Sequence, residues 1–201
     1  MADETGKNLR ADARLNQDRV LEAAVRAFAR DGVDASLRSI AKDAGVGIGT
    51  LYRRFPTREH LVWEVYRSEV DQISAAVGPL LAAQPPARAL RAWMESFLDF
   101  LTVKQGMARA LKAALESDEG QRLHTRALIT GALATLVEAG AADGTIRADA
   151  NPLDVMMALG GISLIAGDAD QRGQATRLLD LLMDGLRPQA ADIGERERRP
   201  T

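Results

Sequence analysis

The stretch that decides the fold runs from Ser36 to Leu61 and reads Ser-Leu-Arg-Ser-Ile-Ala-Lys-Asp-Ala-Gly-Val-Gly-Ile-Gly-Thr-Leu-Tyr-Arg-Arg-Phe-Pro-Thr-Arg-Glu-His-Leu. Its pattern predicts two short helices, at about 37–44 and 48–55, joined by a tight turn. Ser36 is a suitable N-cap for the first helix, and Gly45 is a suitable C-terminal stop. The apolar positions fall where the two helices would pack together, and the polar positions are left outside. These apolar residues are Ile40, Ala41, Ala44, Val46, Leu51 and Phe55.

A helix pair of this kind meets the needs of a helix-turn-helix DNA-binding motif. The first helix braces the second, the turn sets the crossing angle, and the second helix fits the major groove. Residues 44–58 contain three arginines and no acidic residue, which favours contact with phosphates. Residues 1–60 hold 11 Lys and Arg against 9 Asp and Glu, whereas the remainder holds 15 against 19. A solvated helix face would explain three arginines seen alone, but their place in the two-helix pattern favours DNA.

The same stretch resembles the TetR family of bacterial one-component transcription regulators. The family pattern starts with Ser or Thr and continues with Ile-Ala, Ala-Gly-Val, Gly-Thr-Leu-Tyr and Phe-x-x-Lys-x-x-Leu. In this sequence the matching residues are Ser36, Ile40-Ala41, Ala44–Val46, Gly49–Tyr52 and Phe55–Leu61. The resemblance is specific over residues 16–61. It implies a three-helix DNA-binding domain joined by a long helix to a variable domain for effector binding and dimerisation.

The resemblance also assigns roles to individual side chains. Arg38, early in the first helix of the pair, would touch a phosphate or reach into the groove. Thr50 and Arg53 would face the bases, and Tyr52 would face a backbone phosphate. Together these residues form the expected DNA-reading face.

Four flanking positions complete the expected DNA contacts. The resemblance assigns Arg54 a DNA contact without choosing between bases and phosphate, since this residue stands where the helix can flank the groove. Thr57 and Arg58, at the positive end of the next helix, would bind phosphate through backbone amides and a guanidinium. The family usually has Lys at position 58, and Arg can bind phosphate bidentately. Gly47 stands where the family usually has Ser or Thr, so a side-chain cap or phosphate contact would be lost there.

Other chemistries find little support in the sequence. The glycines at 45, 47 and 49 suggest a nucleotide-binding loop. The dinucleotide-binding fingerprint, however, needs a third glycine at position 50, where this sequence has Thr50, and a strand before the loop, where a helix is predicted. Cysteine is absent, and the two histidines, His60 and His124, lie far apart in sequence. We therefore expect no catalytic residue, no metal and no cofactor. No apolar run of about 18 residues and no signal-peptide pattern appears, so we expect a cytoplasmic protein without membrane contact.

Helical periodicity continues to the C-terminus without a strand-length alternating run, which predicts an all-α protein of about nine helices. Thr57 is the expected N-cap of a long fourth helix, and Asn151 with Pro152 predicts a later helix start. Gly78-Pro79 and Gln84–Pro86 interrupt the pattern and indicate the link between the two halves. The expected domains are a disordered arm at 1–13, a helix-turn-helix domain at 14–61, a helical effector-binding and dimerisation domain at 62–187, and a disordered tail at 188–201.

The C-terminal half carries two further signals. One 15-residue span contains side chains able to line a pocket for a small, mostly apolar effector, and plain core packing is the alternative. Its candidate pocket residues are Trp93, Met94, Phe97, Phe100 and Met107. The last two predicted helices hold more apolar positions than one stripe each can bury, which predicts a homodimer built as a four-helix bundle.

Two functions are consistent with these observations. The first is a ligand-responsive transcription regulator, a repressor that binds a palindromic operator in double-stranded DNA as a homodimer and is released by a small molecule. The second is an architectural or partner-binding helical protein whose helix-turn-helix has lost sequence reading. The complete reading face of Thr50, Tyr52 and Arg53 favours the first.

Overall fold

The computed structural model describes residues 2–117, 119–164 and 169–188, and these residues form an all-α fold. The elements are α1 (Ala2–Asp31), a 3-10 turn (Gly32–Asp34), α2 (Leu37–Asp43), α3 (Ile48–Arg54), α4 (Arg58–Ala75), α5 (Val77–Ala83), α6 (Pro86–Gly106), α7 (Ala108–Ser117), α8 (Glu119–Asp143), α9 (Pro152–Ser163) and α10 (Ala169–Gly185). No strand occurs in these described ranges. The all-α prediction is confirmed, and the helix beyond the expected nine is α5.

The N-terminal segment differs from expectation. We predicted a disordered arm at 1–13, but the backbone is helical from Ala2 onward as part of α1. Alanine, glutamate, lysine and arginine in this segment are good helix formers, so it can extend the amphipathic helix that follows. Of the predicted C-terminal tail, residues 189–201 lie outside the described residues.

The segment expected to link the two halves is mostly helical. Pro79 falls in the first turn of α5, where a missing backbone N–H is tolerated. The N–H of Leu80 donates to the carbonyl of Ala76 at 3.0 Å, so a hydrogen-bonded turn forms directly after α4. The chain becomes extended only at Gln84, and α6 begins at Pro86. Both predicted interruptions therefore fall at helix boundaries, the first between α4 and α5 and the second between α5 and α6, but the segment between them is helical.

Capping residues define two helix starts as the sequence predicts. The Thr57 hydroxyl accepts the N–H of His60 at 3.1 Å at the start of α4. The Asn151 side chain accepts the N–H of Leu153 at 2.9 Å, and Pro152 occupies the first position of α9. Both side chains satisfy an amide that the helix itself leaves without a partner.

The fold divides into two compact units. Residues 1–69 with 103–122 form unit 1, and residues 70–102 with 123–201 form unit 2. Unit 1 packs a core that includes Ala24, Phe28, Ile40, Leu51, Phe55, Leu61 and Val65, whereas unit 2 buries Trp93, Leu133, Leu136, Val155, Leu159 and Leu179. The expected boundary after residue 61 falls inside unit 1. The division of labour between a DNA-binding and an effector domain remains a prediction.

A backbone-to-backbone contact joins two distant segments of unit 1. Gly106, the last residue of α6, lies against the end of α1. A Cβ atom on Gly106 would overlap the carbonyl oxygen of Phe28 and lie 3.3 Å from the Cα of Gly32. The obstacle is backbone, which cannot rotate away as a flexible side chain would. This contact requires a residue without a side chain at position 106.

We expect Gly106→Ala to lower the stability of the protein by about 1–3 kcal/mol, because the added methyl group forces the two backbones apart. Gly131→Ala is the matched control, since Gly131 lies within α8 and no atom stands within 4 Å of its added Cβ. That control should raise stability by about 0.5–1 kcal/mol through helix propensity. Thermal unfolding followed by circular dichroism measures both. Equal unfolding temperatures for the two variants would contradict the proposed close contact.

Candidate DNA interface

Backbone geometry fixes the turn between α2 and α3. Gly45 has φ +69°, in the left-handed region that favours glycine. Its N–H donates to the carbonyl of Lys42, and the N–H of Val46 donates to that of Ala41, both at 3.0 Å. A Cβ atom at Gly45 would also meet the Arg19 guanidinium at 2.9 Å. The predicted stop at Gly45 is confirmed, and it sets the direction in which α3 leaves the turn.

Helix α3 is only seven residues long, and its two faces differ. Leu51 and the following Phe55 are each 1% exposed and anchor the helix in the core of unit 1. Tyr52 and Arg53 are exposed on the other side, and Thr50 is half-buried. The helix therefore presents a polar, basic face to solvent while apolar burial holds it in place. That is the arrangement a major-groove helix requires.

The start of α3 has a glycine N-cap. Gly47 is extended, and its carbonyl accepts the N–H groups of Thr50 and Leu51 at 2.9 and 3.1 Å. No side-chain hydrogen bond caps this end of the helix. At this position only the backbone is available for contact with DNA.

Hydrogen bonds orient two of the exposed arginines. Arg53 donates from Nη2 to the Thr50 hydroxyl at 3.1 Å, so the two expected base contacts stand side by side. Arg54 donates to the Gln17 side chain on α1 at 3.0 and 2.5 Å, which turns its guanidinium toward the flank of the motif. Arg38 is exposed in the first turn of α2. Arg53 is thus held beside Thr50 and Arg54 beside Gln17, and their contacts with DNA stay predictions.

Arg58 is engaged within the protein. Its Nη1 donates to the carbonyl of Ala35 at 2.5 Å, and its guanidinium carbon lies 5.4 Å from the centre of the Phe28 ring. The side chain is half-buried. Its contact with phosphate stays a prediction.

Sequence reasoning missed the partners of these arginines. Gln17 lies 37 positions from Arg54, and Ala35 lies 23 positions from Arg58, so no local pattern pointed to either pair. Ile48, the first residue of α3, was not among the predicted site residues, although it is 36% exposed. Its place at the start of the predicted helix at 48–55 was a usable signal, because an apolar side chain there can touch thymine methyl groups.

The candidate effector residues form tightly packed structure. Trp93 stacks on Phe97 with ring centres 5.1 Å apart and donates from its indole N–H to the carbonyl of Ile73 at 3.0 Å. Phe97 contacts Phe100 at 5.6 Å. These rings are at most 3% exposed, and Met94 is fully buried beside them in sequence. The aromatic cluster makes core contacts, and its role in ligand binding stays a prediction.

Met107 is placed apart from that cluster. It is also buried, but it belongs to unit 1, whereas the four other candidate residues belong to unit 2. It lines a cavity of unit 1 together with residues of α1 and α4. The structure therefore does not assign the five candidates to one unit.

Within the described ranges, no group of three or more His, Asp and Glu side chains is placed to hold a metal ion. Across that same part of the chain, no helix has the length and apolar character needed to cross a membrane.

Comparison with known families identifies the motif. The family model described as bacterial regulatory proteins of the tetR family matches residues 20–65, which contain α2, α3 and the start of α4. A second model, for the C-terminal domain of SbtR-like transcriptional regulators, matches residues 85–188. This chain belongs to the TetR family. It is a helix-turn-helix transcriptional regulator, and residues 20–65 are its TetR motif.

Solved structures of TetR regulators extend the similarity to most of the chain. A TetR regulator from Streptomyces coelicolor is 51% identical and covers 87% of this chain and 99% of its own, with a TM-score of 0.79. A TetR regulator from Mycobacterium vanbaalenii is 32% identical and covers 89% of this chain and 99% of its own, with a TM-score of 0.71. An HTH-type transcriptional regulator from Staphylococcus aureus is 39% identical over 64 residues, 31% of this chain. That match spans about a third of the relative's length, 35%.

Two arginines of the TetR motif should respond differently to removal. Arg53→Ala should leave the unfolding temperature nearly unchanged, because the side chain is exposed, but should weaken specific DNA binding by about 1–3 kcal/mol and relax specificity. Arg58→Ala should lower the unfolding temperature by several degrees, because it breaks a charged hydrogen bond and a cation–π contact. Calorimetry and gel-shift titrations on selected and random duplexes separate the two effects. An unfolding temperature for Arg58→Ala equal to that of the wild type would refute its structural role.

Proposed function

We propose that this protein is a repressor that binds a palindromic operator as a homodimer and is released by a small, mostly apolar molecule. The observation that carries the proposal is the two-faced α3. Its buried Leu51 fixes the helix, and its exposed Tyr52 and Arg53 are free of acidic neighbours over residues 44–58. Such a face can enter the major groove and form hydrogen bonds with base edges.

The proposed division of contacts follows from how each side chain is held. Arg53 and Thr50 bind base edges as a pair, and Tyr52 binds a phosphate. Arg54, anchored on α1, and Arg38 bind phosphates on either side of the groove. The amides at the start of α4 supply a further phosphate contact, supported by the helix dipole. Phosphate contacts set the register, and the Arg53–Thr50 pair supplies sequence discrimination.

The homodimer is supported by an outward apolar face in unit 2. On α9, Val155, Leu159 and Ile162 are buried against the rest of the unit. Met157 and Leu164, on the outward side of the same segment, are 76% and 81% exposed. Leu153 on α9 and Leu181 on α10 are also more than half exposed, and α9 packs against α10. Two copies joined through this face would form an isologous four-helix bundle, which hides apolar area that one chain leaves in water.

Release by a ligand is proposed to act through the aromatic cluster of unit 2. The cluster of Trp93, Phe97 and Phe100 lies on α6, and the same helix ends at Gly106 in unit 1. A ligand that inserts among these rings must displace core contacts and thereby shift α6. It releases DNA only if it binds the released state more tightly, and a difference of about 3 kcal/mol changes operator affinity roughly a hundredfold.

Light scattering at micromolar concentration should give twice the chain mass for the wild type. Leu164→Glu should shift the protein toward monomer, because it buries a charge at the proposed interface. Leu15→Glu is the matched control, since Leu15 is 58% exposed on α1 in unit 1. This variant should leave the measured mass unchanged.

Footprinting on a duplex selected from random sequence should show two half-sites about one DNA turn apart. A wild-type monomer that protects such a palindrome would contradict the proposed assembly.

Compounds that release DNA should also change the fluorescence of Trp93, because they contact or displace its stacked ring. A Trp63→Phe background leaves Trp93 as the only tryptophan. Phe97→Ala should lower the potency with which these compounds release DNA, since Phe97 is the ring stacked on Trp93. Leu123→Ala, which truncates an exposed side chain on α8 of the same unit, should leave their potency unchanged. DNA-releasing compounds that leave Trp93 emission unchanged would place the effector site elsewhere.

A further inference from the structure

Unit 1 contains a cavity that the proposed effector site does not use. Its volume is about 370 Å³, within the range of small-molecule sites. Three segments form its wall. The lining includes Phe28 of α1, Arg58 and Val62 of α4, and Met107, Arg109 and Ala110 at the corner between α6 and α7. The close approach of Gly106 to α1 holds these segments together on one side of the cavity.

The lining combines an apolar floor with a charged rim. Phe28, Val62 and Met107 are each at most 2% exposed, so the floor belongs to the packed core of unit 1. The charged groups are Arg58, which is half-buried, and Arg109 and Glu59, which are exposed. Two guanidinium groups against one carboxylate leave a single excess positive charge. This combination suits a ligand with one negative charge and an apolar body.

We propose that the cavity binds a small monocarboxylate through Arg109 and Arg58, with the apolar part of the ligand against Phe28, Val62 and Met107. Arginine is suited to this role because its planar fork binds a carboxylate through two parallel hydrogen bonds. Glu59 disfavours a doubly charged anion at the same rim. The apolar side chains of Phe28, Val62 and Met107 disfavour a small hydrophilic anion, which would gain nothing from contact with them.

Binding here would reach the DNA-binding motif through Arg58. That side chain donates to the carbonyl of Ala35, and Ala35 is followed directly by Ser36, the N-cap residue of α2. A carboxylate that accepts hydrogen bonds from other N–H groups of Arg58 would draw the guanidinium toward the cavity and away from the Ala35 carbonyl. Occupancy therefore weakens a contact that positions the start of α2, and operator affinity should fall.

The test titrates the full chain with decanoate, below its micelle concentration, by isothermal calorimetry. 1-Decanol is the neutral probe of equal chain length and should bind at least tenfold more weakly. Arg109→Gln should weaken decanoate binding about tenfold, and Arg109→Lys should restore most of it. Ala110→Phe should abolish binding because it fills the cavity. Ala92→Phe is the matched control: it places the same ring in a groove of unit 2, of about 420 Å³, lined by α6 and α10.

Several outcomes would overturn the site. The site is wrong if the wild type does not bind decanoate, or if it binds 1-decanol with equal affinity. It is also wrong if Ala110→Phe and Arg109→Gln both bind decanoate as the wild type does, or if Ala92→Phe loses binding.

Gel shifts on a selected duplex test whether decanoate binding changes DNA affinity. Decanoate should lower DNA affinity of the wild type but not of Ala110→Phe, and an equal fall in both would show that decanoate acts elsewhere. DNA binding without decanoate checks the proposed operator function separately.

Discussion

The position of the DNA-binding motif depends on the guanidinium of Arg58. It comes from the first residue of α4, donates to the carbonyl of Ala35 just before α2, and lies over the Phe28 ring of α1. One half-buried cation on α4 therefore contacts α1 and the segment that leads into α2. Charged hydrogen bonds are stronger than neutral ones, and a cation shielded from water by an aromatic ring gains further. Apolar packing of Leu51 and Phe55 then suffices to seat α3, because the elements around it are already fixed.

A seven-residue helix such as α3 is too short to be stable alone, since helices of this length are marginal in water. Its conformation must come from its surroundings, and the structure supplies them at both ends. Gly45 directs the chain into the helix, and Phe55 anchors its exit in the core. The exposed side chains, including Arg53, then need no role in folding. This separation lets the exposed side chains of α3 vary while the motif stays folded.

The sequence was sufficient for features that depend on near neighbours, and insufficient for those that depend on distant ones. Gly45, Thr57 and Asn151 were placed correctly because caps and stops are set within four residues. Ser36 occupies the N-cap position of α2, but its side chain makes no capping hydrogen bond. The helix α5 between the two predicted interruptions was missed, because a proline in a first turn looks the same in sequence as a helix breaker. The Arg54–Gln17 and Gly106–Phe28 contacts join residues far apart in the chain, which periodicity cannot detect.

The aromatic span shows a different limit. Trp93, Phe97 and Phe100 recur at helical spacing, and such spacing fits a pocket wall and a packed core equally well. The structure gives these rings stacking partners and gives the Trp93 indole a carbonyl acceptor, so the closed core is satisfied without a ligand. A ligand at this cluster must therefore compete with contacts already made. The unit 1 cavity poses the opposite case, because its apolar floor and charged rim are formed before any ligand arrives, and binding there needs no core to be opened.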